Sequence, residues 1–136
     1  MAGASIDAVA LREALSARTV TLNPPASDEN LARLEKFAGE PVHQDIVSVY
    51  SQFDGFDGHD LEPETLISIW PIEKALADDF SERPRIVFAD WFINAYLFDV
   101  DLRTAGEVRH VEANRIAAPT FARFWELLLT DHELLL

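Results

Sequence analysis

The residues whose types and spacing could do chemistry in this chain are carboxylates. Asp54, Asp57, Asp60, Glu62 and Glu64 crowd around Gly55 and Gly58. So many oxygen ligands in a glycine-punctuated turn suggest calcium, but an EF-hand-like loop needs acids at alternating positions, glycine sixth and a bidentate glutamate twelfth. Here the aspartates stand three apart, which favours a solvated acidic loop or a protein-binding surface. His59 lies inside the cluster, yet His43, His110 and His132 are scattered and form no HxH or HExxH spacing. Asp99 and Asp101, two apart on a strand, could share acid and base work or hold magnesium; a solvent-facing strand accounts for them more simply. With no cysteine, five glycines and no GxSxG, Walker or GxGxxG pattern, the expectation is a protein without catalytic residues, metal or cofactor.

Charge points the same way. From Lys36 to Lys74 no basic residue intervenes, while Glu40, Asp45, the five loop carboxylates and Glu73 fall in between. The whole chain carries a formal charge of -13. Such a field repels phosphate backbones and anionic lipid, which argues against direct nucleic-acid or membrane binding, and it steers cationic partners inward. Solubility alone is the competing explanation. The candidate partner-binding residues are therefore Asp54, Asp57, Asp60, Glu62 and Glu64, joined by Trp91 and Phe92 if these aromatics sit exposed at a bend, as interface anchors do. Burial of the Trp91-Phe92-Ile93 stretch in a sheet is the alternative.

The elements that must position these residues follow from periodicity. At 136 residues the chain fits one domain with a single core. Its mean hydropathy near zero sets it apart from disordered tails and membrane proteins. The N-terminal residues show no basic and apolar leader, and the absence of cysteine fits a reducing compartment, so the expected location is the cytoplasm. Ser5 caps a first helix with Ile6, Val9, Ala10 and Leu15 on its stripe, followed by an extended segment through Pro24 and Pro25. Ser27 caps a second helix that buries Leu31, Leu34 and Phe37 and stops at Gly39. Pro41 introduces a third, with Ile46, Val49, Tyr50 and Phe53 facing inward until Gly55 ends it.

Beyond Pro63 the period shortens. Residues 66–70 and 85–89 read as buried strands, with a helical crossover over 72–80 between them. Tyr96, Phe98, Val100 and Leu102 alternate with Leu97, Asp99 and Asp101, the clearest strand of the chain. A turn over 103–106 leads to a further strand over 108–111 and makes an antiparallel hairpin. Thr120 caps a last helix that turns Phe121, Phe124, Trp125 and Leu128 inward. The terminal Leu134-Leu135-Leu136 run is open to docking, to an oligomer contact or to fraying. The fold class is α+β: N-terminal helices, then a mainly antiparallel sheet, closed by a C-terminal helix.

Over residues 27–130 the order of these pieces resembles the SUKH superfamily, specifically its domain similar to the fungal Smi/Knr cell-wall-assembly regulator; residues 1–26 add a helix and an extended linker. The resemblance rests on Glu35-Lys36-Phe37-Ala38-Gly39 at the end of the second helix, Pro41 with Asp45-Ile46 and Tyr50, and the Phe53-Asp54-Gly55 turn. It continues through Ile69-Trp70-Pro71-Ile72-Glu73, Ile86-Val87-Phe88-Ala89-Asp90 with Tyr96-Leu97-Phe98-Asp99, Gly106-Glu107-Val108, and Thr120-Phe121-Ala122-Arg123-Phe124. Glu40-Pro41-Val42 and Trp91-Phe92-Ile93-Asn94 depart from the family pattern. The resemblance implies an intracellular interaction module, in bacteria commonly an immunity protein that neutralises a cognate toxin. The expected partner is then a basic toxin domain. An intracellular scaffold remains a second reading and a small metal-dependent enzyme a third.

Overall fold

The structure is a computed structural model and describes residues 6–58, 66–78, 82–91 and 95–135. Three helices come first: α1 (Ala8–Ser16), α2 (Asp28–Ala38) and α3 (Gln44–Tyr50). They are followed by β1 (Ile67–Ile69), α4 (Ile72–Ala77), β2 (Arg85–Trp91), β3 (Tyr96–Asp101), β4 (Val108–His110), β5 (Arg115–Ala118) and α5 (Phe121–Thr130), with a short 3-10 helix over His132–Leu135. This is an α+β arrangement, and the sheet is an antiparallel meander in the order β1-β2-β3-β4-β5.

Local chemistry sets the helix ends. The Ser27 hydroxyl accepts the Asn30 N–H at 3.1 Å, and the left-handed Gly39 closes α2. The Thr120 hydroxyl accepts the Arg123 N–H at 3.0 Å and starts α5. In α1 the cap is Asp7, whose carboxylate accepts the Ala10 N–H at 3.0 Å; Ser5 lies outside the described residues. That start moves the buried stripe to Ala8, Leu11 and Leu15 and leaves Val9 exposed. Helix α3 begins at Gln44, with the His43 imidazole accepting the Asp45 N–H, and ends at Tyr50. Phe53 is buried in the turn beyond it, outside the helix.

The sheet is antiparallel as expected, with α4 between its first two strands: β2 returns beside β1, with Ile67 opposite Trp91 and Ile69 opposite Ala89. Strand β5 has no counterpart in the sequence reading. Its Arg-Ile-Ala-Ala run carries no alternation, and it pairs with β4 through Val108 opposite Ala118 and His110 opposite Arg115. A bulge after Val87 turns Phe88 towards α5, where its ring lies 5.8 Å from Phe121 and 5.1 Å from Phe124. Trp125 meets Phe53 edge-on at 5.8 Å and Phe124 at 5.6 Å. The core thus forms between one sheet face and α5, as the Phe121, Phe124, Trp125 and Leu128 spacing implies. Of the last leucines, Leu135 is fully buried and Leu134 is exposed.

Candidate functional site

The acidic turn is first a piece of architecture. Past α3 the chain reverses at Gly55 (φ +82) and runs against the edge of β1, where the Phe56 N–H donates to the Ile69 carbonyl at 2.8 Å and the Ile69 N–H returns a bond at 2.9 Å. The Gly58 N–H donates to the Ser68 hydroxyl at 2.9 Å. A Cβ on Gly55 would stand 2.3 Å from the Ile69 carbonyl oxygen, and one on Gly58 only 1.9 Å from that of Ile67. Both glycines are required because backbone meets backbone there.

Asp54 belongs to the same frame. Its carboxylate accepts the Ile72 N–H at 2.9 Å at the start of α4, its own N–H donates to the Pro24 carbonyl, and its carbonyl accepts the Asn23 amide. Burial raises its pKa above the ordinary carboxylate value; the Ile72 N–H opposes this and the neighbouring Glu73 charge adds to it. Tyr50 is buried next to it and donates its hydroxyl to the Trp70 carbonyl at 3.1 Å. Burial first, and then the charge of Asp54, drive the phenol well above its usual range, so Tyr50 stays a neutral donor. Asp57 faces solvent. Asp60, Glu62, Glu64, His59 and Phe92 lie outside the described residues. Of the other acids in the basic-free run, Asp45 is buried and accepts the Ile6 N–H at 3.1 Å, so it is no part of an open surface, and Glu40 lies 3.7 Å from Arg103.

Two further expectations are corrected by burial. Trp91 is only 3% exposed, opposite Ile67 and Tyr96 on its neighbouring strands, with its ring against Phe98 and His132. A side chain inside the sheet cannot anchor a partner without unfolding, so Trp91 is a core residue. Asp99, read as solvent-facing, is 2% exposed and clasped by two guanidinium groups: Arg85 Nε donates at 2.8 Å and Arg109 Nη2 at 2.5 Å. Arg85 also donates to the Glu107 carboxylate at 3.2 Å and to its carbonyl at 3.0 Å. The bond to Asp99 is the main cause that raises the Arg109 pKa. Acid–base or magnesium work needs an open carboxylate, and both oxygens of Asp99 are taken. Asp101 is half-buried and accepts the Arg103 N–H at 3.0 Å.

Sequence reasoning missed Arg85 and Arg109. The signal was available, since Arg85 and Arg109 each stand next to an inward apolar residue, Ile86 and Val108, but only the register Val87, Asp99 and Arg109 brings the charges together.

Of the cations, Arg12, Arg18, Arg85 and Arg109 are half-buried, while Arg33, Lys36, Lys74, Arg83, Arg103, Arg115 and Arg123 are exposed. Arg12 donates to Gln52, Arg18 to the Leu129 carbonyl and Arg33 to Asn30. Arg103 and Arg123 pair with Glu40 and Glu126. Lys74 lies 4.5 Å over the Trp70 ring and Arg83 5.0 Å over Phe37. Asp28, Glu29, Glu35, Asp57, Glu73, Glu82, Asp131 and Glu133 are exposed as well, and with 24 acidic against 11 basic residues the surface charge is negative. What this surface can do is attract and hold positive charge.

Among the described residues no group of three or more histidines, aspartates and glutamates is placed to hold a metal ion, and no helix is long and apolar enough to cross a membrane. Comparison with protein-family models and with curated proteins finds no match for the chain.

Proposed function

We propose that the chain is a non-catalytic protein-binding module, an immunity protein that neutralises a cognate bacterial toxin by presenting an acidic surface to a basic toxin domain. The observation that carries this reading is the excess of solvent-facing carboxylates: Asp28, Glu29, Glu35, Asp57, Glu73, Glu82, Asp131 and Glu133 are exposed, whereas Arg12, Arg18, Arg85 and Arg109 are held by the protein's own acceptors. At a formal charge of -13 such a surface accelerates encounter with a cationic partner more than it deepens affinity. The resemblance of residues 27–130 to the SUKH superfamily supplies the immunity role, and the charge supplies the sign of the partner. The contact surface includes Asp57 and extends through Asp60, Glu62 and Glu64. Asp54 contributes field from a position fixed by its bond to Ile72.

The test is to look for a toxic domain encoded beside this chain's gene and to co-express the two, followed by stopped-flow association of the purified pair. Growth should be rescued and a stoichiometric complex isolated. A variant carrying Asp57→Asn, Asp60→Asn, Glu62→Gln and Glu64→Gln should associate more slowly at low salt and with a flatter salt dependence. A toxic domain that is neither bound nor neutralised would sink the immunity reading. Wild-type association rates for the variant at low salt would move the contact off the acidic segment.

A further inference from the structure

His110 closes β4 and is 4% exposed, the one buried imidazole among the described residues. Its Nδ1 accepts the Ala113 N–H at 3.1 Å, which pins the turn over 111–114 that joins β4 to β5. An Nδ1 that accepts carries no proton, so the neutral ring holds its proton on Nε2. The same Nδ1 lies 4.0 Å from Glu112 Oε1. That oxygen accepts the Leu97 N–H at 2.7 Å and so ties the turn to β3. The ring is walled by Phe98 at 5.5 Å, edge to face, and by Tyr96 at 5.3 Å. The titratable and charged groups that face it are Tyr96 from β3, Glu112 from the turn and Arg115 from β5, the residue opposite it in the ladder.

A second proton can enter only at Nδ1, where the Ala113 N–H already points. Donor would then face donor, while the Glu112 carboxylate oxygen 4.0 Å away offers the new N–H a charged acceptor. We propose that His110 is a proton-operated latch: protonation of Nδ1 expels the Ala113 N–H, draws Glu112 away from the Leu97 N–H, and frees the β4–β5 turn from β3. One proton taken from solvent thus exchanges two backbone anchors for one imidazolium–carboxylate pair. Asn114, with φ +50 in the same turn, marks a backbone already held in an uncommon conformation.

The direction with pH follows from burial. Desolvation lowers the His110 pKa below the ordinary value, Glu112 opposes it, and Arg115 reinforces it. A depressed imidazole supports the fold in its neutral form, fully above about pH 6.5 and decreasingly as pH falls through that range. The turn therefore closes at neutral pH and loosens in mild acid.

Amide hydrogen exchange followed by NMR on the intact chain, with the His110 ring titrated in the same samples, tests this. Protection at Ala113 and Leu97, corrected for intrinsic exchange, should fall together along the imidazole titration while the core amides of α5 keep theirs. In His110→Gln, which can accept at the turn but does not titrate, both amides should lose that pH dependence. Protection at Ala113 and Leu97 that stays level across the wild-type imidazole titration would overturn the latch, even if the variant fails to fold. The same pH dependence persisting in a folded His110→Gln would overturn it as well.

Discussion

Asp99 and the 54–58 segment both present as carboxylates in polar surroundings, and the fold treats them in opposite ways. Asp99 sits in the middle of the sheet, closed between Arg85 and Arg109. The segment carrying Asp54 and Asp57 lies along the margin of the sheet, where backbone contacts hold the chain and one carboxylate, that of Asp57, stays in solvent. The difference lies in where the partners come from. Asp99 depends on guanidinium groups from two neighbouring strands, whereas Asp54 and the glycines depend on main-chain groups of β1 and α4. A charge buried by side chains is structural through its partners; a loop held largely by its backbone can leave an outer side chain such as Asp57 at the surface.

The sharpest way to break this comparison is Asp99→Ala, which strips Arg109 of its carboxylate partner and leaves Arg85 only Glu107. Urea denaturation should show a loss of about 3–5 kcal/mol, the usual result of stripping one partner from a buried pair. A loss no larger than that of an exposed ion pair, below about 1 kcal/mol, would mean that water already solvates the site. Next comes Gly58→Ala, where the new methyl meets the Ile67 carbonyl and β1 must shift; about 1–3 kcal/mol should be lost in the same assay. Unchanged stability there would show that the 54–58 segment rests on the sheet only loosely.

The smallest effect belongs to Asp54→Asn, since an amide oxygen can still accept the Ile72 N–H. The folded-state pKa of Asp54 is raised, so the fold binds this proton more readily than the unfolded chain does, and stability from this residue grows as pH falls through the raised value. The amide should keep or slightly raise stability at neutral pH and remove that gain on acidification. Thermal melts across the acidic range measure it; an equal pH dependence in both proteins would place the raised proton affinity elsewhere.

The helices were legible because their signals are local. Ser27, Gly39 and Thr120 bond within a turn of themselves, and the Phe121, Phe124, Trp125 and Leu128 spacing needs only one helix to be read. Strand β5 was not legible, since Arg115-Ile116-Ala117-Ala118 has neither alternation nor β-branched enrichment beyond Ile116 and becomes a strand only by lying beside β4. The burial of Asp99 and Trp91 was hidden for the same reason: it is decided by which residues the register places opposite them. At the candidate site the glycines drew attention to a segment whose backbone lies against β1. Their cause, a backbone approach to β1, depends on contacts of Gly58 with Ile67 and of Gly55 with Ile69, too far along the chain to be read locally.

The close approach of Gly55 and Gly58 to β1 also bears on what this sheet refuses to do. An unpaired strand margin is a template on which any extended chain, including another copy, can add and start open-ended stacking. At β1 the protein's own Phe56 occupies that template through paired bonds with Ile69. At the other end the last strand is four residues long and begins with a charged Arg115. One margin is sealed by backbone, and the other is too short and too charged to invite growth. Both margins of the sheet thus discourage the addition of a further strand, which keeps the folded chain discrete at high concentration.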